Sequence, residues 1–268
     1  MSWTLACCLP LPLVVALPSE TRTAARRSDD APMSMELVEP DRLRQPELVL
    51  AAPHEGYDLR TEEIAREVGR RLGADVAVAR NFRKPKLGRF LNVNRPTESA
   101  LEDTTASSGE RVTDAARDVF RRWLSLIQRG SSAPIPLYVE VHGFNDTVAI
   151  GGQDVSLEVV ELATVGIDAS EAGRIRQAWT RLEGELGLPP LAIDVLDPDY
   201  LFAGERVSFC HTASMAKQLG SLQPCYVEQA LHFELPPSAR ASSGVRRDVA
   251  RAIAASIEAV QPAPARGR

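Results

Sequence analysis

The sequence predicts an α/β fold, a sheet covered by helices on both faces. Two observations carry this. Apolar runs of strand length recur along the chain, dense enough to be buried on both sides. Between them, apolar residues recur every three or four positions, the spacing of a helix with one buried face.

The elements follow in order. Residues 5–17, LACCLPLPLVVAL, are apolar but short for a membrane span, and they read as the apolar region of a signal peptide. The opening MSWT lacks the usual basic residue, so a true start at Met33 or Met35 is the alternative reading. On the first reading the chain is exported; on the second it is cytoplasmic. Residues 18–40 are polar, rich in Arg, Ser, Asp and Pro, and read as a linker. One α/β domain is expected over 41–262, its folded body beginning near Glu47, with a frayed tail at 263–268. Strands are expected at Leu48–Ala52, Val76–Ala79, Phe90–Val93, Leu137–Val141, Leu157–Val165, Leu191–Val195 and Ala230–Leu235. Ile64, Ala65, Val68 and Leu72 share a helix face that Thr61 could cap. Val112, Ala115, Val119, Trp123 and Ile127 mark a second helix. Ile175, Trp179, Leu182 and Leu186 mark a third, and Val245, Val249, Ile253 and Ile257 a fourth.

Composition narrows the function. The net charge of −5 argues against nucleic acid as a partner, which selects basic surfaces. Arg70-Arg71 and Arg246-Arg247 fall in helical stretches and read as solvated faces. Beyond the leader no run is long enough to span a membrane. Of four cysteines, none has the Cys-x-x-Cys spacing of a zinc site. Cys210 and Cys225 would pair in an exported protein, or stand as unrelated thiols.

Ligands of open α/β sheets bind beyond the carboxyl ends of the strands. His54 follows the run Leu48–Ala52, with Glu55 and Asp58 beside it, and His142 follows Leu137–Val141. Two imidazoles, a carboxylate and an open position suit catalytic zinc. The bland reading makes each histidine a structural turn residue. In LNVNRP, Asn92, Asn94 and Arg95 form either a turn or an anion clamp, since the guanidinium fork fits a carboxylate. In LHFELP, His232 and Glu234 alternate and share a face. A glutamate in an apolar strand is costly unless paired or functional, which makes Glu234 a candidate base.

Together APHEGYD, LNVNRP, YVEVHGFN and LHFELP resemble the N-formylglutamate amidohydrolase family over about residues 47–240. More distantly they are similar to zinc carboxypeptidases and poly-γ-glutamate hydrolases. The resemblance implies a mixed, doubly wound sheet of zinc-carboxypeptidase type. It implies Zn²⁺ held by His54, His142 and Asp58, with Asn94 and Arg95 on a substrate carboxylate and Glu234 as base. The carboxypeptidase spacing His-x-x-Glu lands on Tyr57, while the longer amidohydrolase spacing lands on Asp58, and adjacent Glu55 remains the competing ligand. Glu234 would take a proton from water and pass it to the leaving amine. Arg80 or Arg83 would stabilise the oxyanion. The implied substrate is a small acylated acidic amino acid or a γ-linked peptide. The rivals are a carboxypeptidase or cell-wall peptide hydrolase on the same site, and a non-catalytic exported protein that holds a metal or an acidic ligand.

Overall fold

The computed structural model describes residues 31–40, 45, 47–84, 89–100, 109–129 and 134–261. The signal-like leader and the tail lie outside them. Fifteen strands and five α-helices are formed among the described residues. They are β1 (Ser34–Val38), β2 (Leu48–Glu55), α1 (Thr61–Leu72), β3 (Asp75–Arg80), β4 (Arg83–Lys84), β5 (Arg89–Leu91), β6 (Thr97–Ala100), β7 (Arg111–Val112) and α2 (Asp114–Ile127). Then come β8 (Ile135–Gly143), β9 (Thr147–Ile150), β10 (Gln153–Ser156), β11 (Val160–Val165), α3 (Ala169–Leu186) and β12 (Leu191–Ile193). The chain continues through β13 (Asp199–Phe202), β14 (Glu205–Ser208), α4 (Ser214–Leu219), β15 (Val227–Leu235) and α5 (Ser243–Glu258).

Seven strands make one mixed sheet in the order β1-β3-β2-β8-β15-β11-β12. The middle four, β3, β2, β8 and β15, run parallel, so their carboxyl ends share one edge. β1 and β11 run antiparallel to their inner neighbours. This is the mixed α/β sheet that the sequence predicts. Along β2, Leu48, Leu50 and Ala52 enter one core with Ile64, Trp179 and Ile253 of α1, α3 and α5. Val49 and Ala51 enter the other, with Val119, Trp123 and Ile127 of α2. Side chains alternate along a strand, so a sheet with apolar residues at both parities must be covered twice. Each fully buried large apolar side chain contributes roughly 1.5–3 kcal/mol over its exposed state.

Several expectations are corrected. Ser34–Val38, expected within a linker, is the edge strand β1, paired to β3 from Ser34 opposite Arg80 to Val38 opposite Val76. Phe90–Val93 does not enter the main sheet; Arg89–Leu91 belongs to a small four-stranded sheet with β4, β6 and β7. Leu157 and Val159 are buried in a third cluster but precede β11, which starts at Val160. Val112 is exposed on β7, and α2 starts at Asp114 behind a Thr113 cap. Thr61 is the first helical residue of α1 rather than its cap. Its hydroxyl donates to the Asp58 carbonyl at 2.9 Å, while the Glu55 carboxylate accepts the Glu62 N–H at 3.1 Å. Arg70 and Arg71 pair with Glu67 along α1, an exposed helix face as expected. Cys210 and Cys225 are separate, exposed thiols. Among the described residues no helix is long and apolar enough to cross a membrane.

Candidate metal centre

A cleft of about 560 Å³ opens at the carboxyl edge of β2, β8 and β15, and all four histidines of the chain line it. Three come from that edge. His54 and His142 are the penultimate residues of β2 and β8, and His232 lies in β15.

His54 reaches the cleft through an irregularity. Strict alternation from Ala51 would send Glu55 to the cleft side and His54 to the α1 side. The pairing of β2 with β3 shifts register between Ala52 and Glu55. Such a shift re-aims side chains. His54 then lines the cleft and Glu55 turns to the amino end of α1. The turn that follows closes with the Tyr57 and Asp58 N–H groups on the His54 carbonyl, at 3.0 and 2.9 Å. Gly56 has φ +101° there, and a Cβ on it would lie 2.8 Å from Asn81 Oδ1. Asp58 is thereby folded back beside its own histidine.

Asp58 Oδ2 lies 3.5 Å from His54 Nδ1 and 3.2 Å from His142 Nδ1. His54, Asp58 and His142 each place a ligand atom within 4.8 Å of the others, and all three are buried. Neither ring nitrogen of His54 has a hydrogen-bond partner among the described residues. Burial first, and then the Arg83 charge, push its pKa down to about 3, so it is a neutral imidazole with free lone-pair capacity. Burial alone would raise the Asp58 pKa, but its contact with His142 at 3.2 Å and the nearby His54 ring hold it below the usual carboxylate range. His142 is opposed by burial and favoured by Asp58 and Glu140, which push it up to about 10. A buried, unpartnered imidazole beside an ionised carboxylate and a second imidazole fits a divalent cation such as zinc. His142 Nε2 lies 3.1 Å from Glu140 Oε2, the carboxylate–histidine arrangement that orients a metal-binding ring.

Glu140 was missed in the sequence because it sits mid-strand between Val139 and Val141, inside an apolar run. Fully buried, it accepts from Asn94 Nδ2 (3.0 Å), the Tyr138 hydroxyl (3.0 Å) and the Ser221 hydroxyl (2.6 Å), and also meets His232 Nδ1 at 3.0 Å. His211 was also missed; the segment before it, ERVSFC, is not an apolar run of the kind that marks a buried strand. Glu234 lines the cleft with Oε1 3.2 Å from His232 Nε2. Burial opposes its charge, but His232, His142 and His211 outweigh burial and bring its pKa down to about 2. It is a carboxylate able to accept a proton.

The arginines divide. Arg80 does not reach the cleft. Its guanidinium is held by Glu62 (Nε, 2.6 Å) and Glu36 (2.6 Å), where it ties β1 to α1. Arg95 lines the cleft, but its fork already holds Glu110, through Nε at 2.8 Å and Nη2 at 2.5 Å. Asn94 is fully buried behind it, bridging Glu140 and Arg95, rather than lining the cleft. Asn92 accepts from Arg83 at 2.5 Å and is likewise buried. Arg83 lines the cleft and carries no ion pair among the described residues. Its charge stands over the Tyr57 ring at 5.4 Å. Glu55, the competing acidic ligand, is turned to α1 and joins no metal-ligand group among the described residues.

No protein-family model matches the chain, and no curated protein matches it by sequence. Among solved structures it is similar to a gene product of Agrobacterium tumefaciens, with 14% identity, 87% of this chain and 96% of that one covered, and a TM-score of 0.45. It is also similar to the zinc-free apo form of YndL, with 13% identity, 80% and 74% covered, and a TM-score of 0.35. A candidate metallopeptidase from Shewanella amazonensis aligns at 12% identity, 79% and 74% covered, with a TM-score of 0.35.

Proposed function

We propose that the protein is a metal-dependent hydrolase that cleaves an amide bond, N-acyl or γ-linked, of an acidic amino-acid substrate, as an N-formylglutamate amidohydrolase does. The observation that carries this is His54. It is a buried, neutral imidazole with both nitrogens unpartnered, set beside Asp58 and His142 in the cleft that Glu234 also lines. His54, Asp58 and His142 would hold Zn²⁺. When bound there, the ion would lower the pKa of water from about 16 to about 7 and polarise the scissile carbonyl. Glu140 holds the His142 ring through Nε2, leaving Nδ1 turned to Asp58. Glu234 accepts the proton of the attacking water. The leaving nitrogen needs a proton in return. Arg83, which carries no carboxylate of its own, receives the substrate anion, while Arg95 is neutralised by Glu110.

Metal content and turnover test this together. The purified protein should carry about one zinc per chain, the stoichiometry of an open three-ligand site. His54→Ala and His142→Ala should each empty it; full occupancy in both variants would remove the site. Glu234→Gln should keep the metal and lower kcat by about 10² or more on an N-formylated acidic amino acid. Arg83→Lys keeps charge but loses the planar fork. It should lower kcat/KM on N-formylglutamate and leave the bis-carboxamide analogue nearly unchanged. The same pattern from Arg95→Lys, with Arg83→Lys silent, would return the clamp to Arg95.

A further inference from the structure

One row of side chains crosses three adjacent strands at the cleft. His142 on β8 stands opposite Glu234 on β15, and Glu234 stands opposite Glu161 on β11. Residues directly opposite share a face of the sheet. The first two belong to the proposed hydrolytic site. Glu161 is also fully buried on that face and has no part in it so far.

Its carboxylate is committed to one neighbour above all. Glu161 Oε2 lies 2.5 Å from His211 Nδ1 and accepts the His211 backbone N–H at 2.7 Å. Oε1 accepts the Tyr200 hydroxyl at 2.7 Å and the Cys210 N–H at 3.0 Å. The imidazole stacks on Phe144 with ring centroids 4.5 Å apart. Ring, stack and carboxylate leave it one orientation. Its other nitrogen, Nε2, lies 3.2 Å from Oδ2 of Asp146, a largely exposed carboxylate at the cleft wall. Exposed ion pairs are weak, so a substrate group can take that position from Asp146.

The groups around the ring favour its charged form. Burial works against it. Glu161 on β11, Glu234 on β15 and Asp146 after β8 outweigh burial, and the pKa is pushed up to about 9. Cys210 on the same wall and Tyr200, bound to Glu161, have their own pKa values pushed up, so both stay neutral near pH 7. His211 thus carries a proton at neutral pH on the same cleft wall as an acceptor, Glu234, that does not. Hydrolysis of an amide needs a proton donor as well as an acceptor, and His211 lines the same cleft as Glu234.

We propose that His211, held by Glu161, is the acid that protonates the leaving nitrogen. This rests on the hydrolase reading above. Water loses a proton to Glu234 as its oxygen bonds to the acyl carbon. The carbon–nitrogen bond breaks with its electron pair on nitrogen, which takes the Nε2 proton of His211. Glu234 then returns its proton through solvent to His211. One water is consumed, one carboxylic acid and one amine leave, and both side chains are restored.

The test uses leaving groups of unequal need. An amide nitrogen must be protonated to leave; an ester oxygen needs this far less. N-formylglutamate and its oxygen isostere 2-(formyloxy)glutarate are assayed with wild type and His211→Gln, zinc content being measured on both. The expected result is a kcat lower by about 10² on the amide, little change on the ester, and unchanged zinc. Equal losses on both substrates, or no loss on either, overturn the assignment. Wild type cleaving neither removes the hydrolase reading, and the assignment with it. Should His211→Gln fail to fold, Glu161→Gln decides through its pH profile on the amide. The alkaline limb of kcat should move to lower pH, and an unmoved limb overturns the assignment.

Discussion

Glu140 takes up five neighbours with two oxygens: Asn94, Tyr138, Ser221, His142 and His232. Burial alone would raise its pKa, but the two histidines hold it well below the usual carboxylate range. A buried charge that has lost its partners destabilises by about 3–5 kcal/mol, and the same logic applies to partners left without their charge. Glu140→Gln should therefore lower the urea midpoint sharply. Ser221→Ala, which removes one donor of several, should move it by only about 1 kcal/mol. Equal effects would mean that Glu140 is not the hub. Asp58 and Glu55 differ in the same residue-by-residue way. Asp58→Asn should weaken zinc binding in a competition titration, because its oxygen faces both imidazoles. Glu55→Gln should leave zinc binding in place and affect only the start of α1, where its oxygen accepts the Glu62 N–H.

The decisive element is the end of β2 with its turn. A register shift and one left-handed glycine reverse the facing of two adjacent side chains and bring Asp58 beside His54. Alanine at position 56 would carry a Cβ into Asn81 Oδ1 from a backbone that L-residues rarely adopt. Gly56→Ala should lower stability by more than about 1 kcal/mol and lower zinc occupancy with it. Unchanged occupancy in a folded variant would show that the turn does not set the Asp58 position. Gly143, at the end of β8, is confined for another reason: a Cβ there would meet the Arg240 guanidinium at 2.7 Å. Arg240 donates to the carbonyls of Leu235, Leu59 and Phe144, and so ties the end of β15 to the segments that follow β2 and β8.

Across the whole molecule, charge in the cleft couples stability to pH. His211 has a folded pKa pushed up to about 9 from an ordinary 6.5. Its stabilising contribution is fully present below pH 6.5 and is lost as pH rises through about 9, because the folded state then holds a proton that the unfolded chain has given up. The Tm difference between wild type and His211→Gln should accordingly narrow between pH 6 and pH 9.5. A difference that stays constant over that range would mean the ring is neutral in the folded protein.

The alternation of buried strands and amphipathic helices is legible along the chain, because burial periodicity is a local property. The same local reading places His54 and His142 at the ends of apolar runs, where an α/β sheet gathers its ligands, and His232 and Glu234 on one face of a later strand. Tertiary structure decided which acid joined them. Glu55 is adjacent to His54 and Asp58 lies four residues on, yet the register shift against β3 turns the nearer acid to α1 and the turn brings the farther one back. It decided the arginines for a similar reason: Arg80, Arg83 and Arg95 are alike in sequence, and their roles depend on whether Glu62, Glu36 or Glu110 reaches them first. Glu140 as a hub and the Glu161–His211 pair were invisible because the Ser221, His232 and His211 contacts, 81, 92 and 50 residues apart, have no local signature. Those contacts exist only once β8, β15 and β11 lie side by side.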